Sequence, residues 1–359
     1  MADIAHTVPS VITTKDGSEF GFDRPGLQIT RFDAGPVRSR DWLGYNLRTY
    51  DLDPSLWQSG TTALQQWSAF WNHIGGGAEC GYIVEPVSET HRDLVCGGLG
   101  DASQTTFPIP IVSPSSVTVF VGGVPQEAAA YTVHTAANKL GDTGATASAA
   151  ANLLSVECTD ALSSGVSLDG LSCVKVVPAG GANPTERVYM ADAATFPATT
   201  PGEEYTGVAS WLATAASAQN YNAQIWWFTD ADAYISTSNG SDVSTPAGSW
   251  MTSSVTATAP VTAAKAVAGV RRNDTSGTSA FYVDCFALNP GDYDRWHLPS
   301  QSPGLIEFAA APAAGARITA TATGCRVSRC RFEPGSSWRV SSAGHAASRS
   351  IRAVEDIEV

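Results

Sequence analysis

Short runs of alternating hydrophobic and polar residues follow one another along most of the chain, separated by turn-forming residues about every eight to twelve positions. The clearest run is SVTVFV at residues 116–121, which places a valine at every second position. Gly122 and Gly123 follow it and suit the positive φ angles of a tight hairpin turn, and AAYTVH at 129–134 is the returning strand. This two-residue period predicts a mainly β protein.

A helical period stands out in one segment, TTALQQWSAFWNHIGGG at residues 61–77. Its large apolar residues recur at intervals of three and four behind a threonine cap, and three glycines end the segment. These residues are Leu64, Trp67, Phe70, Trp71 and Ile74. The pattern predicts one amphipathic helix that packs on a sheet.

The pattern changes at residues 135–150, TAANKLGDTGATASAA, which are small and polar and have no apolar period. The next 150 or so residues form short strands with their own aromatic side chains, and the earlier strand pattern returns after Pro303. Insertions are tolerated at hairpin tips, where the two ends of the insert lie close together. We therefore predict a discontinuous β-sandwich host domain, an inserted β domain and two linkers. The host covers 1–134 and 304–359, the insert 151–297, and the linkers 135–150 and 298–303.

Composition and charge argue against some classes of function, namely nucleic-acid binding and membrane insertion. The chain has 359 residues, a formal net charge of −13 and a pI near 4.8, which argues against nucleic acid as a partner. No apolar stretch approaches the roughly 20 residues that a membrane helix needs, and the N-terminus lacks the pattern of a secretory signal. We expect a globular protein made in a cytoplasm, with no nucleic-acid partner and no membrane insertion. The arginine-rich C-terminal region is expected to pair with an acidic neighbour or subunit.

The seven cysteines form no CxxC pair, and in a protein that is not secreted this favours free thiols. Four of them fall in the predicted host domain and leave an iron–sulfur or zinc site as the lesser alternative. They are Cys80, Cys96, Cys325 and Cys330.

Several segments of the predicted host resemble a protein family. Four segments are similar to a small β unit of bacteriophage tail proteins: GLGDASQTTFPIP, SVTVFVGGVPQ, YTVH and GLIEFAAAPAAGARITATAT. In this chain a foreign segment separates the last of them from the first three. Three earlier segments resemble the first part of the distal tail proteins of long-tailed phages and gene-transfer particles. They are DWLGYNLRTYDLD, FWNHIGGGAE and CGYIVEP. The resemblance implies a structural virion protein at the tail tip. It would form a ring, usually a hexamer, between the tail tube protein and the tail hub protein.

The insert resembles jelly-roll carbohydrate-binding modules through NLLSVECTD, GLSCVKVVPAGG, PGEEYTGVASWLATA and SAFYVDCFALNPGD. The resemblance implies a domain that binds host surface glycans, and the alternative is a carbohydrate-binding or glycan-processing protein outside any virion. Sugar rings stack on flat aromatic faces beside polar groups. The candidate glycan-binding residues are Trp226, Trp227, Tyr234, Asp230 and Asp232. Because neighbours in a strand face opposite sides, only one of the two tryptophans can line a binding face, and packing of both is the alternative.

The same modules often hold a structural calcium ion through an acidic residue on the closing strand. Asp284 matches that position, so the resemblance implies a calcium site there, although calcium needs further oxygen ligands. No other cofactor is expected.

No catalytic motif stands in a supporting context, and we expect no enzyme. Glu203 and Glu204 are carboxylates of the kind that a glycosidase needs, but adjacent strand residues point apart, which favours a solvated turn. His297 lies among charged residues at the exit of the insert, where a solvated junction is the expectation.

Overall fold

The computed structural model describes the protein in segments, and its described part is mainly β, as predicted. Among those residues, no helix is long and apolar enough to cross a bilayer. The described residues are 3–4, 21–23, 47–52, 70–71, 81–140, 153–156, 158–164, 166–169, 172–178, 185–190, 196–215, 219–273, 279–298, 301–332, 338–340, 346–348 and 351–355.

The chain divides into two compact units. The first contains residues 1–5 and 87–327, and the second contains residues 6–86 and 328–359. Two long strands run through the divisions, β4 (Gly81–Leu99) and β21 (Arg317–Phe332). These divisions do not coincide with the boundaries of the predicted insert, 151–297. The insertion of one domain into another stays a prediction.

Two antiparallel sheets of the first unit form a β-sandwich of the jelly-roll type. The five-stranded sheet has the order β16-β12-β18-β10-β9, and the six-stranded sheet has the order β14-β13-β17-β11-β8, with β15 also paired to β13. The bounds are β8 Leu153–Val156, β9 Cys158–Ser163, β10 Cys173–Pro178, β11 Thr185–Met190, β12 Glu204–Ala213, β13 Gln219–Phe228, β14 Tyr234–Asn239, β15 Val243–Thr245, β16 Trp250–Thr258, β17 Lys265–Asn273 and β18 Phe281–Pro290.

Aromatic side chains fill the space between these two sheets. Trp211 stacks on Tyr221 with ring centroids 5.6 Å apart, and the Tyr221 ring meets Phe281 edge-on at 5.3 Å. The indole N–H of Trp211 donates to Thr245 Oγ1 at 2.8 Å, so its polar atom is satisfied in the core. Gly207 lets the two sheets approach closely at its position, because a Cβ there would lie 2.7 Å from Ile225 Cγ1. These contacts give the sandwich a core of its own.

A third sheet in the first unit contains the strands that carry the phage-tail pattern. Besides β21, its strands are β5 Thr106–Val121, β6 Val124–Pro125, β7 Tyr131–His134 and β20 Pro303–Phe308, with a short 3-10 helix at Ala128–Ala130. They pair in the order β21-β5-β20-β7, and β6 also pairs with β5. Gly122 and Gly123 have φ angles of 59° and 81°, which confirms the predicted hairpin turn. Residues from before and after the jelly roll therefore pair directly in this sheet.

The residues at the exit of the jelly roll are packed. His297 is 1% exposed, and its Nε2 atom shares a hydrogen bond of 2.7 Å with the Tyr293 hydroxyl. The expectation of a solvated junction at His297 is therefore wrong, because the neighbouring rings and strands exclude water from it. Burial, and then the charge of Arg295, hold the pKa of His297 well below its usual value, so the imidazole is neutral. Close by, β1 (Asp3–Ile4) pairs in parallel with β19 (Arg295–Trp296).

In the second unit, strands pair in the order β2-β3-β24-β21, where β2 is Gly21–Asp23, β3 Leu47–Leu52 and β24 Ile351–Glu355. A hairpin pairs β22 (Trp338–Val340) with β23 (Ala346–Ser348). Phe70 and Trp71 are helical and buried, and the rest of the predicted helix at 61–77 lies outside the described residues.

Candidate functional site

The two candidate tryptophans lie on opposite faces of β13, as the period of a strand requires. Trp227 is completely buried in the core between the two sheets, where its indole N–H donates to Ser238 Oγ at 2.9 Å. Trp226 belongs to a separate apolar cluster on the outer face, with Phe228, Val267 and Phe196, and is only 8% exposed. Neither indole ring is exposed enough to bind a ligand. Trp226 lies beneath other side chains of the outer face.

Tyr234 provides the exposed aromatic surface on this outer face. Its side chain is 54% exposed, and its ring centroid lies 5.2 Å from that of Trp226 and 6.2 Å from that of Phe228. The Tyr234 hydroxyl shares a hydrogen bond of 3.0 Å with Thr237 Oγ1. Contacts with the rings of Trp226 and Phe228 and the hydrogen bond to Thr237 therefore hold the Tyr234 side chain in place without a ligand.

Amide side chains continue the outer face from Trp226 along β13 and β14. The Trp226 indole N–H donates to Gln224 Oε1 at 3.0 Å, and the Gln224 amide donates in turn to Asn239 Oδ1. Further along, Asn222 Nδ2 donates to Asp242 Oδ1 at 2.7 Å. We call the surface made by Asn222, Gln224, Trp226, Phe228, Tyr234, Thr237 and Asn239 the outer face. Its exposed edge from Tyr234 to Asn239 is roughly 17 Å long, at about 3.3 Å per strand residue.

The two candidate aspartates lie in the turn between β13 and β14, next to Tyr234. Asp232 forms an ion pair with Lys265, with Oδ1 and Nζ 2.9 Å apart, and the same ammonium donates to the Asp230 backbone carbonyl at 2.8 Å. Asp232 has a φ of 60°, and its side chain is 56% exposed. Lys265 therefore holds the turn against β17 and leaves carboxylate oxygens at the end of the outer face.

The structure brings Trp226, Tyr234, Asp230 and Asp232 together at one end of the outer face and places Trp227 in the core. Three contributors were not singled out from sequence: Thr237, Asn239 and Lys265. The sequence holds no signal for Lys265, because it faces the turn only through the pairing of β17 with β13. Alternation along β14 could have indicated Thr237, but a β-bulge between Trp227 and Phe228 shifts the register there.

Asp284 lies elsewhere, buried on β18. Its carboxylate accepts hydrogen bonds from the backbone N–H groups of Leu168 at 2.9 Å, Asp169 at 3.2 Å and Cys285 at 2.9 Å. Burial raises the pKa of Asp284 to about 7. In this arrangement the carboxylate holds the 166–169 loop, and three N–H groups already occupy its oxygens, which fits a calcium ion poorly. The calcium site stays a prediction.

The cysteines considered for a metal site are described in part. Cys96 is fully buried in the core of the third sheet, and burial raises the pKa of its thiol, which disfavours the thiolate that a metal would need. Cys325 is half-buried, and Cys80 lies outside the described residues. Free thiols stay the prediction for these cysteines, and the metal site stays the lesser alternative.

Glu204, the second of the two adjacent glutamates, begins β12 and is partly buried. Burial, together with the charges of Asp292 and Glu307, raises its pKa. Glu203 accepts a hydrogen bond of 3.3 Å from the Tyr205 hydroxyl. Neither carboxylate belongs to the outer face.

Comparison with known proteins finds no matching family model and no matching curated protein. Similar solved structures include the C-terminal family 22 carbohydrate-binding module of Clostridium thermocellum Xyn10B, at 14% identity and a TM-score of 0.35, covering 44% of this chain and 96% of that one. The CBM22-1 xylan-binding domain of Paenibacillus barcinonensis Xyn10C matches at 7% identity and a TM-score of 0.32, covering 45% and 93%.

A longer structure of the Clostridium thermocellum enzyme, with its CBM22-1 and GH10 modules and xylohexaose, matches at 13% identity and a TM-score of 0.35. The match covers 43% of this chain and 29% of that one. Likenesses at these TM-scores carry no argument about what this chain binds. The resemblance to distal tail proteins stays a prediction.

Proposed function

We propose that the jelly roll of this protein binds glycans on its outer face, with Tyr234 as the stacking surface for a sugar ring. The half-exposed Tyr234 ring, supported from below by Trp226 and Phe228, is the observation that carries the proposal. An aromatic ring that is ordered before binding loses little conformational entropy when a pyranose stacks on it.

Polar groups beside the ring supply the second requirement of sugar binding. Asn239 and Asp232 are exposed, and Thr237 is partly exposed, so hydroxyl groups of a bound sugar have donors and acceptors within the same face. The Gln224 and Trp226 side chains are buried and bonded to each other, which holds the polar row in place. A single exposed ring implies weak binding at each site, and several copies on one particle would strengthen it.

The direct test replaces Tyr234 by alanine and measures binding to a panel of soluble bacterial and plant polysaccharides by affinity electrophoresis and calorimetry. We expect Tyr234→Ala to lower affinity at least tenfold, since stacking and the apolar burial of one ring are lost together. Tyr234→Phe should retain most of the binding because the ring remains.

Tyr282→Ala is the matched control, because Tyr282 is a partly exposed tyrosine on β18 of the other sheet. It should leave affinity unchanged. Equal binding by wild type and Tyr234→Ala would overturn the assignment of the outer face, and no binding across the panel would overturn glycan binding itself.

The resemblance to distal tail proteins supports a second, finer proposal, in which the chain is a subunit of a tail-tip ring and the jelly roll projects from it. In that proposal the protein is made in the bacterial cytoplasm and ends in the virion, between the tail tube and hub proteins. The pairing of β20 with both β7 and β5 supports one part of it, the insertion of the jelly roll into a sheet, because strands separated by the jelly roll are neighbours there. Leu305 pairs with His134, for example.

A further inference from the structure

The segment that leads from the third sheet into the jelly roll is built into both. Residues 135–140 follow β7 directly, and Ala137, Asn138 and Leu140 are buried. On the side of the third sheet, the Ala137 N–H donates to the Pro303 carbonyl at 2.8 Å, where β20 begins. On the side of the jelly roll, the Lys139 N–H donates to the Leu288 carbonyl of β18 at 2.9 Å. We call residues 137–140 the strap.

Asn138 is the centre of the strap. Its Nδ2 group donates to the carbonyls of Phe286 at 3.2 Å and His297 at 3.0 Å, and its Oδ1 atom accepts from the N–H groups of Leu140 at 3.1 Å and Leu288 at 3.3 Å. These four bonds use the full capacity of a buried amide. The Asn138 backbone N–H donates to Ser302 Oγ at 2.9 Å, just before β20.

Other contacts join the same two parts. Ala137 and Leu305 pack with Tyr293 in one small apolar cluster. Thr106 at the start of β5 accepts from the Asp292 N–H, with 3.4 Å between the nitrogen and Oγ1. The Asn138 bonds are therefore part of a continuous interface between the jelly roll and the third sheet.

The ammonium of Lys139 adds charge to this interface. It lies 5.3 Å from the centroid of the Tyr205 ring in the jelly roll. Burial lowers the pKa of Lys139, and the carboxylates of Glu203 in the jelly roll and Glu307 in the third sheet oppose that shift. A cation close to carboxylates of both parts attracts them toward each other.

We propose that the strap locks the jelly roll to the third sheet, so that the two open and unfold as one body and the outer face keeps a fixed direction relative to strands β5, β7 and β20. Asn138 is the residue that couples them. A buried amide with all four hydrogen bonds made is strongly specific for one arrangement, since any displacement leaves several polar groups unpaired.

Native-state hydrogen exchange of the full chain in increasing low concentrations of denaturant tests the lock. In the wild type, the slowest amides of β13 and β17 and those of β5 and β20 should share one opening free energy and one dependence on denaturant. In Asn138→Ala, protection of β5, β7 and β20 should fall at least tenfold relative to that of β13 and β17.

Asn222→Ala is the matched control, because it removes a buried asparagine whose side-chain amide donates to Asp242 within the jelly roll. It should lower the protection of all these strands together. Ser302→Ala removes the side-chain acceptor of the Asn138 N–H, together with the bond of 3.5 Å that the Ser302 hydroxyl donates to the Pro303 carbonyl. It should act in the same direction as Asn138→Ala with a smaller effect. Separate opening free energies in the wild type, or an Asn138→Ala or Ser302→Ala effect spread equally over all strands, would overturn the lock.

Discussion

At the scale of single residues, Asp284 couples stability to pH. Burial raises its pKa in the folded protein to about 7, from the value of 3.8 that is ordinary for an aspartate. Between about pH 4 and pH 7 the folded state therefore keeps a proton that the unfolded state has released. The contribution of Asp284 to stability is full below this window and is lost as pH rises through it.

We predict that the free energy of unfolding of the wild type contains a component that falls from pH 4 to pH 7 and is absent in Asp284→Asn. Urea denaturation at a series of pH values measures it. Asparagine is a suitable replacement because it keeps the shape and one of the two acceptor oxygens and cannot ionise. Identical pH profiles for the two proteins would rule out this linkage.

The same residue provides the test for calcium. A bound calcium ion needs the ionised carboxylate, so it would act most strongly above pH 7. If the ion binds, calcium should raise the melting temperature of the wild type at pH 8 and leave that of Asp284→Asn unchanged. Magnesium at equal concentration is the control for ionic strength, and no shift with calcium would remove the site.

At the scale of elements, β13 carries two different roles on its two faces. Trp227→Ala should cost about 3–5 kcal/mol of stability, because it leaves a large cavity between the sheets. Trp226→Ala removes the support beneath Tyr234, so it should weaken glycan binding with a smaller loss of stability. Urea denaturation and affinity electrophoresis on the same samples separate the two effects. Full glycan affinity in a folded Trp226→Ala protein would contradict the supporting role.

Strand alternation alone places Trp226 and Trp227 on opposite faces of β13, but it does not say which face is covered. The structure shows that both are covered, one by the facing sheet and the other by Tyr234 and Phe196. The exposed ring therefore belongs to β14. The sequence identifies all three rings as candidates but does not show which of them is exposed, because exposure depends on packing between elements.

At the scale of the whole molecule, the ring proposal predicts the mass of the particle. Heterologous contacts that close by rotation give a fixed number of subunits, and a hexamer has six times the chain mass of 37.4 kDa. Native mass spectrometry across a concentration series should find this species without intermediate sizes. A monomer at every concentration would contradict the ring and leave the glycan proposal untouched.

The first residues of the predicted 135–150 linker are packed, although their composition is that of a linker. Low hydrophobicity at 135–150 predicts a linker, yet Ala137, Asn138 and Leu140 are buried. A short polar segment becomes buried when its hydrogen bonds are all made, and the partners of Asn138 lie about 150 residues or more away in sequence, apart from Leu140. The composition of a short stretch of sequence gives no information about hydrogen-bond partners that lie so far away along the chain.

The sequence by itself determined the mainly β class, the hairpin turn at Gly122 and Gly123, and the opposite facing of Trp226 and Trp227. These features depend on local backbone preference and on the two-residue period of a strand. Tertiary structure decided that Tyr234 is the exposed ring, that Lys265 holds the β13–β14 turn and that His297 is buried. It also decided that Asn138 bonds both to β18 and to Ser302, just before β20. Each of these depends on contacts between residues distant in sequence or on burial set by neighbouring elements, which only the folded chain defines.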